Sequence, residues 1–139
     1  GYITTDAEQL EMNQACLMKK LNDAVDDFAI FDWQPAPAAD TLVITYGVTA
    51  RAARAAITAT GGKGNPLSHL ILKTLWPVPK RLIKELAEPY RRIIVVEMNL
   101  GQYVREIERV LQDKDIFFLG QMNGELIKPG QIMEVVLNG

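Results

Sequence analysis

Cysteine is nearly missing from this chain: Cys16 stands alone among 139 residues. One thiol cannot close an internal disulfide, carry an iron–sulfur cluster or complete a structural zinc site. So low a count suits a reducing compartment, and the cytoplasm is the expected location. Histidine is as scarce. His69 is the only one, so a dyad or metal site built on imidazoles has little to draw on. A lone histidine at the head of a buried strand is expected to be a hydrogen-bonded structural residue. An excess of one charge is also lacking: 15 Lys and Arg against 17 Asp and Glu leave −2, which argues against non-specific binding to nucleic acid or an anionic membrane. No apolar run is long enough to span a bilayer. The opening Gly1-Tyr2-Ile3-Thr4-Thr5-Asp6 has neither the basic nor the apolar region of a signal peptide. It also lacks an initiator methionine, as expected of a domain cut from a longer product.

What is present describes one globular α/β domain. Hydrophobic residues make up 48% and charged residues 23%, enough for one packed core and too apolar for a disordered chain. Thr5-x-x-Glu8 has the form of a capping box, and Leu10, Leu17, Met18, Leu21 and Val25 recur at helical spacing, so a helix is predicted to end near Asp26 with Cys16 on its apolar side. Residues 27–33 alternate as a short strand, and Pro35 and Pro37 make a loop after it. Residues 42–46 form a continuous apolar, β-branched run that reads as a strand buried on both faces, with Thr49 placed to cap the helix that follows. That helix carries six alanines between Ala50 and Ala59 and can lie close against a sheet. The glycines from Gly61 to Gly64 stop it; no GxGxxG or GxxxxGK[ST] pattern makes them a phosphate loop. Further strands are predicted at 69–73, 93–97 and 116–119, with helices through Leu82–Leu86, from Leu100 to Leu111, and from Pro129 to Leu137. Strands alternating with helices imply a mostly parallel sheet covered on both faces.

The most informative stretch is Glu97-Met98-Asn99-Leu100-Gly101-Gln102, which sets a carboxylate, two amides and a glycine where a buried strand gives way to a helix. Ligands and partners of open α/β sheets gather at the carboxyl ends of strands, and backbone N–H groups at a helix start favour acceptor oxygens. The plainer reading is that Asn99 caps the helix and Gly101 permits close packing. Arg105, Glu106, Glu108 and Arg109 read as charged helix surface, and Arg91-Arg92 as a surface turn or a pairing with acids of a neighbouring subunit. Trp76 is a large apolar anchor, either in the core or against another domain.

Three motifs in order carry a family resemblance: a strand ending Tyr46-Gly47, then Lys73-Thr74-Leu75-Trp76-Pro77-Val78-Pro79, then Val95-Val96-Glu97-Met98-Asn99-Leu100-Gly101-Gln102. Together they resemble the second domain of the alpha subunit of 2-oxoacid:ferredoxin oxidoreductases, which has the transketolase C-terminal fold. Ile127-Lys128-Pro129 is similar to the family's closing signal, and residues 1–6 to its lead out of the first domain. The resemblance implies a three-layer α/β/α sandwich on a five-stranded mixed sheet of order 1-3-2-4-5. Strand 1, residues 27–33, would be antiparallel. Residues 1–26 would be a leading segment with an N-terminal helix, and 27–139 the transketolase C-terminal-like domain. The switch point would fall between strands 2 and 4, so Gly47, Thr49, Glu97, Asn99, Gly101 and Gln102, with Trp76, are the candidate interface or switch-point residues. No catalytic, cofactor-binding or metal residue is expected here.

The resemblance further implies an enzyme that converts a 2-oxoacid and CoA to acyl-CoA, CO2 and reduced ferredoxin. It would use thiamine diphosphate, Mg, CoA and iron–sulfur clusters carried elsewhere. This chain would be its assembly domain, inactive alone. Its partners would be the first domain of the same subunit and a thiamine-binding beta subunit, with ferredoxin for the whole enzyme and neither nucleic acid nor membrane. An uncovered contact face near Trp76 and residues 100–104 would let the isolated domain self-associate. The residues alone leave open a free-standing small-ligand module at the switch-point crevice, or a regulatory domain without a ligand.

Overall fold

A computed structural model of the chain describes residues 3–138. The strands are β1 (Phe31–Gln34), β2 (Thr41–Tyr46), β3 (Ser68–Leu72), β4 (Arg92–Glu97) and β5 (Asp115–Gly120). The helices are α1 (Ala7–Phe28), α2 (Thr49–Gly61), α3 (Lys80–Ala87), α4 (Val104–Val110) and α5 (Pro129–Asn138). The sheet runs β1-β3-β2-β4-β5. β1 pairs antiparallel with β3, and the other pairings are parallel. This is the predicted order and the predicted lone antiparallel strand.

Side chains alternate across the central strands and divide the core in two. Leu42, Ile44, Leu70, Ile93 and Val95 point to one face and pack with Ile83 of α3 and Ile107 of α4. Val43, Ile94 and Val96 point to the other and meet Ala53 and Ala56 of α2 and Ile132 of α5. Both alanines are wholly buried, so α2 lies close to the sheet as its composition predicts. Arg92 fixes α5 from the sheet: its guanidinium donates to the carbonyls of Val135 and Val136 and lies 4.5 Å from the Phe117 ring centre. Arg91 pairs with Asp115 of the same chain at 3.1 Å.

Several boundaries depart from the sequence reading. The N-cap of α1 is Asp6, not Thr5: its carboxylate accepts from the Gln9 N–H at 2.8 Å. α1 continues through Asp27 and Phe28, so the first strand is confined to Phe31–Gln34 rather than 27–33. The apolar residues at 25 and 28 continue the helical spacing, and an alternating pattern there mimics a strand. Thr49 does not cap α2. It lies inside the first turn and its hydroxyl donates to the carbonyls of Tyr46 and Val96. The helix expected from Leu100 starts at Val104, after a left-handed Gly101. Cys16 is exposed, as are Leu10, Met12, Leu17 and Met18; within α1 only Val25 is buried.

His69 lies fully buried on β3, with Nε2 at 2.8 Å from the Thr45 hydroxyl. Burial, reinforced by Arg54, pushes its pKa from 6.5 to about 4. Between those values the unfolded chain binds a proton that the folded chain refuses, so stability falls as pH drops through this window. From pH 7 to about 4.5 the chain should lose about 2 kcal/mol more than a His69→Gln variant, by urea unfolding at both pH values. Parallel losses in the two would contradict a buried, neutral imidazole.

Candidate functional site

β2 and β4 lie side by side, yet the helices that follow them cover opposite faces of the sheet. This is the switch point, and one carboxyl group organises it. Glu97, the last residue of β4, is wholly buried. One of its oxygens accepts from the Val104 N–H at 2.9 Å. The other accepts from the Tyr103 N–H at 3.0 Å and the Tyr46 hydroxyl at 2.6 Å. Glu97 therefore closes the start of α4 from the end of the adjoining strand, placing negative charge where a helix start favours it.

Asn99 completes the loop. Its side-chain oxygen accepts from the N–H groups of Gly101 (2.8 Å) and Gln102 (3.0 Å), and its amide donates to the Tyr46 hydroxyl at 2.7 Å. Gly101 has φ +88°, a conformation that strains other residues, and a Cβ there would stand a tight 3.2 Å from the Val104 side chain. Thr49 bonds at 2.8 Å to Tyr46 and 3.1 Å to Val96, tying the Gly47 turn to β4. Burial, then the bond to Glu97, pushes the Tyr46 phenol well above its usual range, so it stays a donor. The Tyr103 ring meets Tyr46 edge-on at 5.5 Å, and its own hydroxyl is buried without a partner among the described residues.

The structure thus brings together Gly47, Thr49, Glu97, Asn99 and Gly101. Gln102 joins through its backbone alone and its side chain is exposed. Trp76 stands on the loop after β3, outside this network. Two participants escaped the sequence reading as site residues. Tyr46 sits in an apolar strand, where a phenol reads as core. Gly120 gives no local signal: a Cβ there would fall 2.6 Å from the Asn99 carbonyl oxygen, a contact made only by the fold. The groups of the network bond one another, so it fixes geometry rather than offering a free acid, base or nucleophile.

Around this fixed centre the carboxyl edge of the sheet carries a series of exposed apolar side chains. Each loop leaving a parallel strand exposes a large apolar side chain: Val48 (45% exposed) after β2, Trp76 (68%) after β3, Leu100 (71%) after β4, Met122 (64%) and Leu126 (60%) after β5. Val104, expected to share this surface, is buried because Glu97 draws the α4 start inward. β1 begins opposite Leu72, so α1 also arrives at this edge, with Phe28 and Ile30 exposed beside it. The opposite edge presents Asp40, Lys63, Arg91 and Asp113. Single exposed apolar residues are ordinary, but one in every loop along the same edge makes that edge a candidate interaction surface.

Glu97→Ala would leave two buried backbone N–H groups and a phenol without an acceptor, and should cost about 3–5 kcal/mol of stability. Gln102→Ala should change stability by less than about 0.5 kcal/mol. Urea unfolding of the two variants measures both. Equal effects would contradict the network.

Comparison with known proteins agrees with this geometry. Residues 39–132 match the family model of the pyruvate:ferredoxin oxidoreductase core domain II. The chain is 34% identical over 100 residues to the 2-oxoglutarate synthase subunit KorA of Methanothermobacter marburgensis, covering 71% of this chain and 27% of that protein. It is 28% identical over 134 residues to the ketoisovalerate oxidoreductase subunit VorB of Methanothermobacter thermautotrophicus, covering 96% of this chain and 38% of that one. The chain thus spans roughly a quarter to two fifths of the curated relatives it matches. A 2-oxoglutarate:ferredoxin oxidoreductase from Magnetococcus marinus, solved with 2-oxoglutarate, coenzyme A and succinyl-CoA bound, shares the fold at a TM-score of 0.78 and 21% identity, over 99% of this chain and 24% of its own. A split-gene transketolase shares it at 0.67 and 15%, over 78% and 40%. The chain belongs to the pyruvate:ferredoxin oxidoreductase core domain II family and is the second domain of a 2-oxoacid:ferredoxin oxidoreductase subunit.

Proposed function

We propose that this chain is the assembly domain of the alpha subunit of a thiamine-diphosphate-dependent 2-oxoacid:ferredoxin oxidoreductase. That enzyme converts a 2-oxoacid and CoA to acyl-CoA and CO2 and passes the electrons to ferredoxin. The observation that carries the reading is the apolar carboxyl edge, held rigid by the Glu97 network. Rigid apolar anchors at the centre of a surface supply most of the energy of a protein interface.

The described residues of this chain offer no ligand set for an iron–sulfur cluster or for a metal ion held by the protein alone. Its single cysteine is exposed on α1, and among the described residues no cluster of three His, Cys, Asp or Glu could hold a metal ion. Thiamine diphosphate with its magnesium and the iron–sulfur clusters therefore belong to other domains in this reading, and no chemical step is assigned here. The partners are the first domain of the same subunit and a thiamine-binding beta subunit, with ferredoxin meeting the whole enzyme.

Residues 1–26 serve as the leading segment and 27–139 as the docked domain. The apolar stripe of Leu10, Leu17 and Met18 is the part of α1 that a neighbour would cover. Among the described residues no helix is long and apolar enough to cross a membrane, and the lone thiol favours a cytoplasmic enzyme. Alone, the chain associates with itself through its uncovered edge.

Trp76→Ser with Leu100→Ser tests the reading, because both side chains are more than two-thirds exposed and neither belongs to the core. The double variant should keep the stability of the isolated chain within about 1 kcal/mol. In the full enzyme it should lose co-purification of the alpha and beta subunits and, with it, turnover. Full assembly and turnover in the variant would overturn the reading.

A further inference from the structure

The face of the sheet that carries α2 is left open beside β1. A cleft of about 520 Å³ lies there, at the carboxyl ends of β2 and β3. Its apolar lining comes from Ile71, Leu75 and Ala50. Its rim is cationic: Arg51 and Arg54 come from one side of α2, and Lys73 reaches in from the end of β3. A single acid, Asp32 on β1, faces them.

Asp32 divides its charge. One oxygen lies 2.6 Å from the Lys73 ammonium and the other 3.4 Å from the Arg54 guanidinium. The hydrogen bond from Lys73 holds the Asp32 carboxyl below the usual carboxylate range, so it stays ionised at neutral pH. Arg51 has no ion-pair partner among the described residues. His69, the other titratable group facing Arg54 and Asp32, is neutral at pH 7 and adds no charge. Three cations against one carboxylate leave the cleft two positive charges in excess. This is a local reversal in a chain that is acidic overall.

The arrangement has the chemistry of a small-ligand site. The volume falls within the range of known ligand pockets, roughly 300–1,000 Å³. Two guanidinium groups one helical turn apart present planar forks that suit a phosphate or carboxylate. The bonds from Asp32 hold Arg54 and Lys73 in place before any ligand arrives, which lowers the entropy lost on binding. The apolar lining would cover an attached organic body. From these residues we propose that the cleft binds a small organic anion: an apolar body carrying a phosphate or carboxylate group, with the anion between Arg51 and Arg54 and the body over Ile71 and Leu75. Nothing in this inference depends on the assembly reading, since the cleft and its charges belong to this chain alone.

The test is a titration of the chain with phenyl phosphate, benzoate and inorganic phosphate, followed by amide and arginine side-chain NMR shifts. Phenyl phosphate or benzoate should give saturable shifts centred on Gly47, Arg51, Arg54 and Lys73, with a Kd of about 1 mM or tighter. Binding should be about ten-fold tighter than that of inorganic phosphate, because only the organic anions use the apolar lining. Which of the two organic anions binds better identifies the preferred head group. Arg51→Gln with Arg54→Gln should weaken binding about ten-fold or more, while the equally charged control Arg91→Gln with Arg105→Gln leaves it unchanged. All four arginines are exposed, so each variant should fold, and its unliganded spectrum verifies this. Shifts that do not saturate, equal weakening by the control pair, or inorganic phosphate binding as tightly as either organic anion would overturn the proposal.

Discussion

The structure depends on one buried carboxyl group. Taking Glu97 out of water carries a desolvation penalty of several kcal/mol, offset only where hydrogen bonds replace the lost water. Three donors do so, and each belongs to a different piece of the fold: Tyr46 to the end of β2, Tyr103 to the loop, Val104 to the start of α4. A single residue thereby decides that β4 stops where it does and that α4 begins three residues beyond the glycine turn. It also pins the carboxyl ends of β2 and β4 together. Asn99 and Thr49 extend the arrangement, and the close approach of Gly120 to the Asn99 carbonyl brings in β5. Three neighbouring strands end at fixed positions as a result.

Fixed strand ends make the surface above them definite. The carboxyl edge exposes apolar side chains in every loop that follows a parallel strand, while the amino-edge loops present Asp40, Lys63, Arg91 and Asp113. α1 joins the apolar edge and carries its own uncovered stripe. The helices cover both faces of the central strands, which leaves the strand ends as a natural place to meet a partner. The match to core domain II of the pyruvate:ferredoxin oxidoreductase family fits this economy, with the fold supplying a stiff platform.

Much of this was legible in the residues. Continuous β-branched runs at 42–46 and 93–97 read as buried strands because both faces of the central sheet are covered, and the structure buries them so. The antiparallel edge strand was different. No pattern in four residues announces strand direction; it came from the family resemblance. Boundaries failed where two periodicities overlap. Phe28 fits both a helix and an alternating strand, and Leu100 lies on the spacing of α4 although an Asn-centred turn delays that helix. α1 shows a further limit: its spacing of apolar residues identifies a face, but nothing in spacing says whether another surface covers it. In the site, Glu97, Asn99 and Gly101 were legible from their place at a strand end. Tyr46 was not, because its hydroxyl matters only through a neighbour 51 residues away.

Deuterium uptake, compared between this chain alone and the same chain within the assembled oxidoreductase, tests the account most directly. Assembly should protect the first turns of α1 and the loops around Val48, Trp76, Leu100 and Met122. The amino-edge loops around Asp40, Arg91 and Asp113 should not change. Protection at the amino edge, with the carboxyl edge as exposed in the enzyme as in the isolated chain, would contradict it.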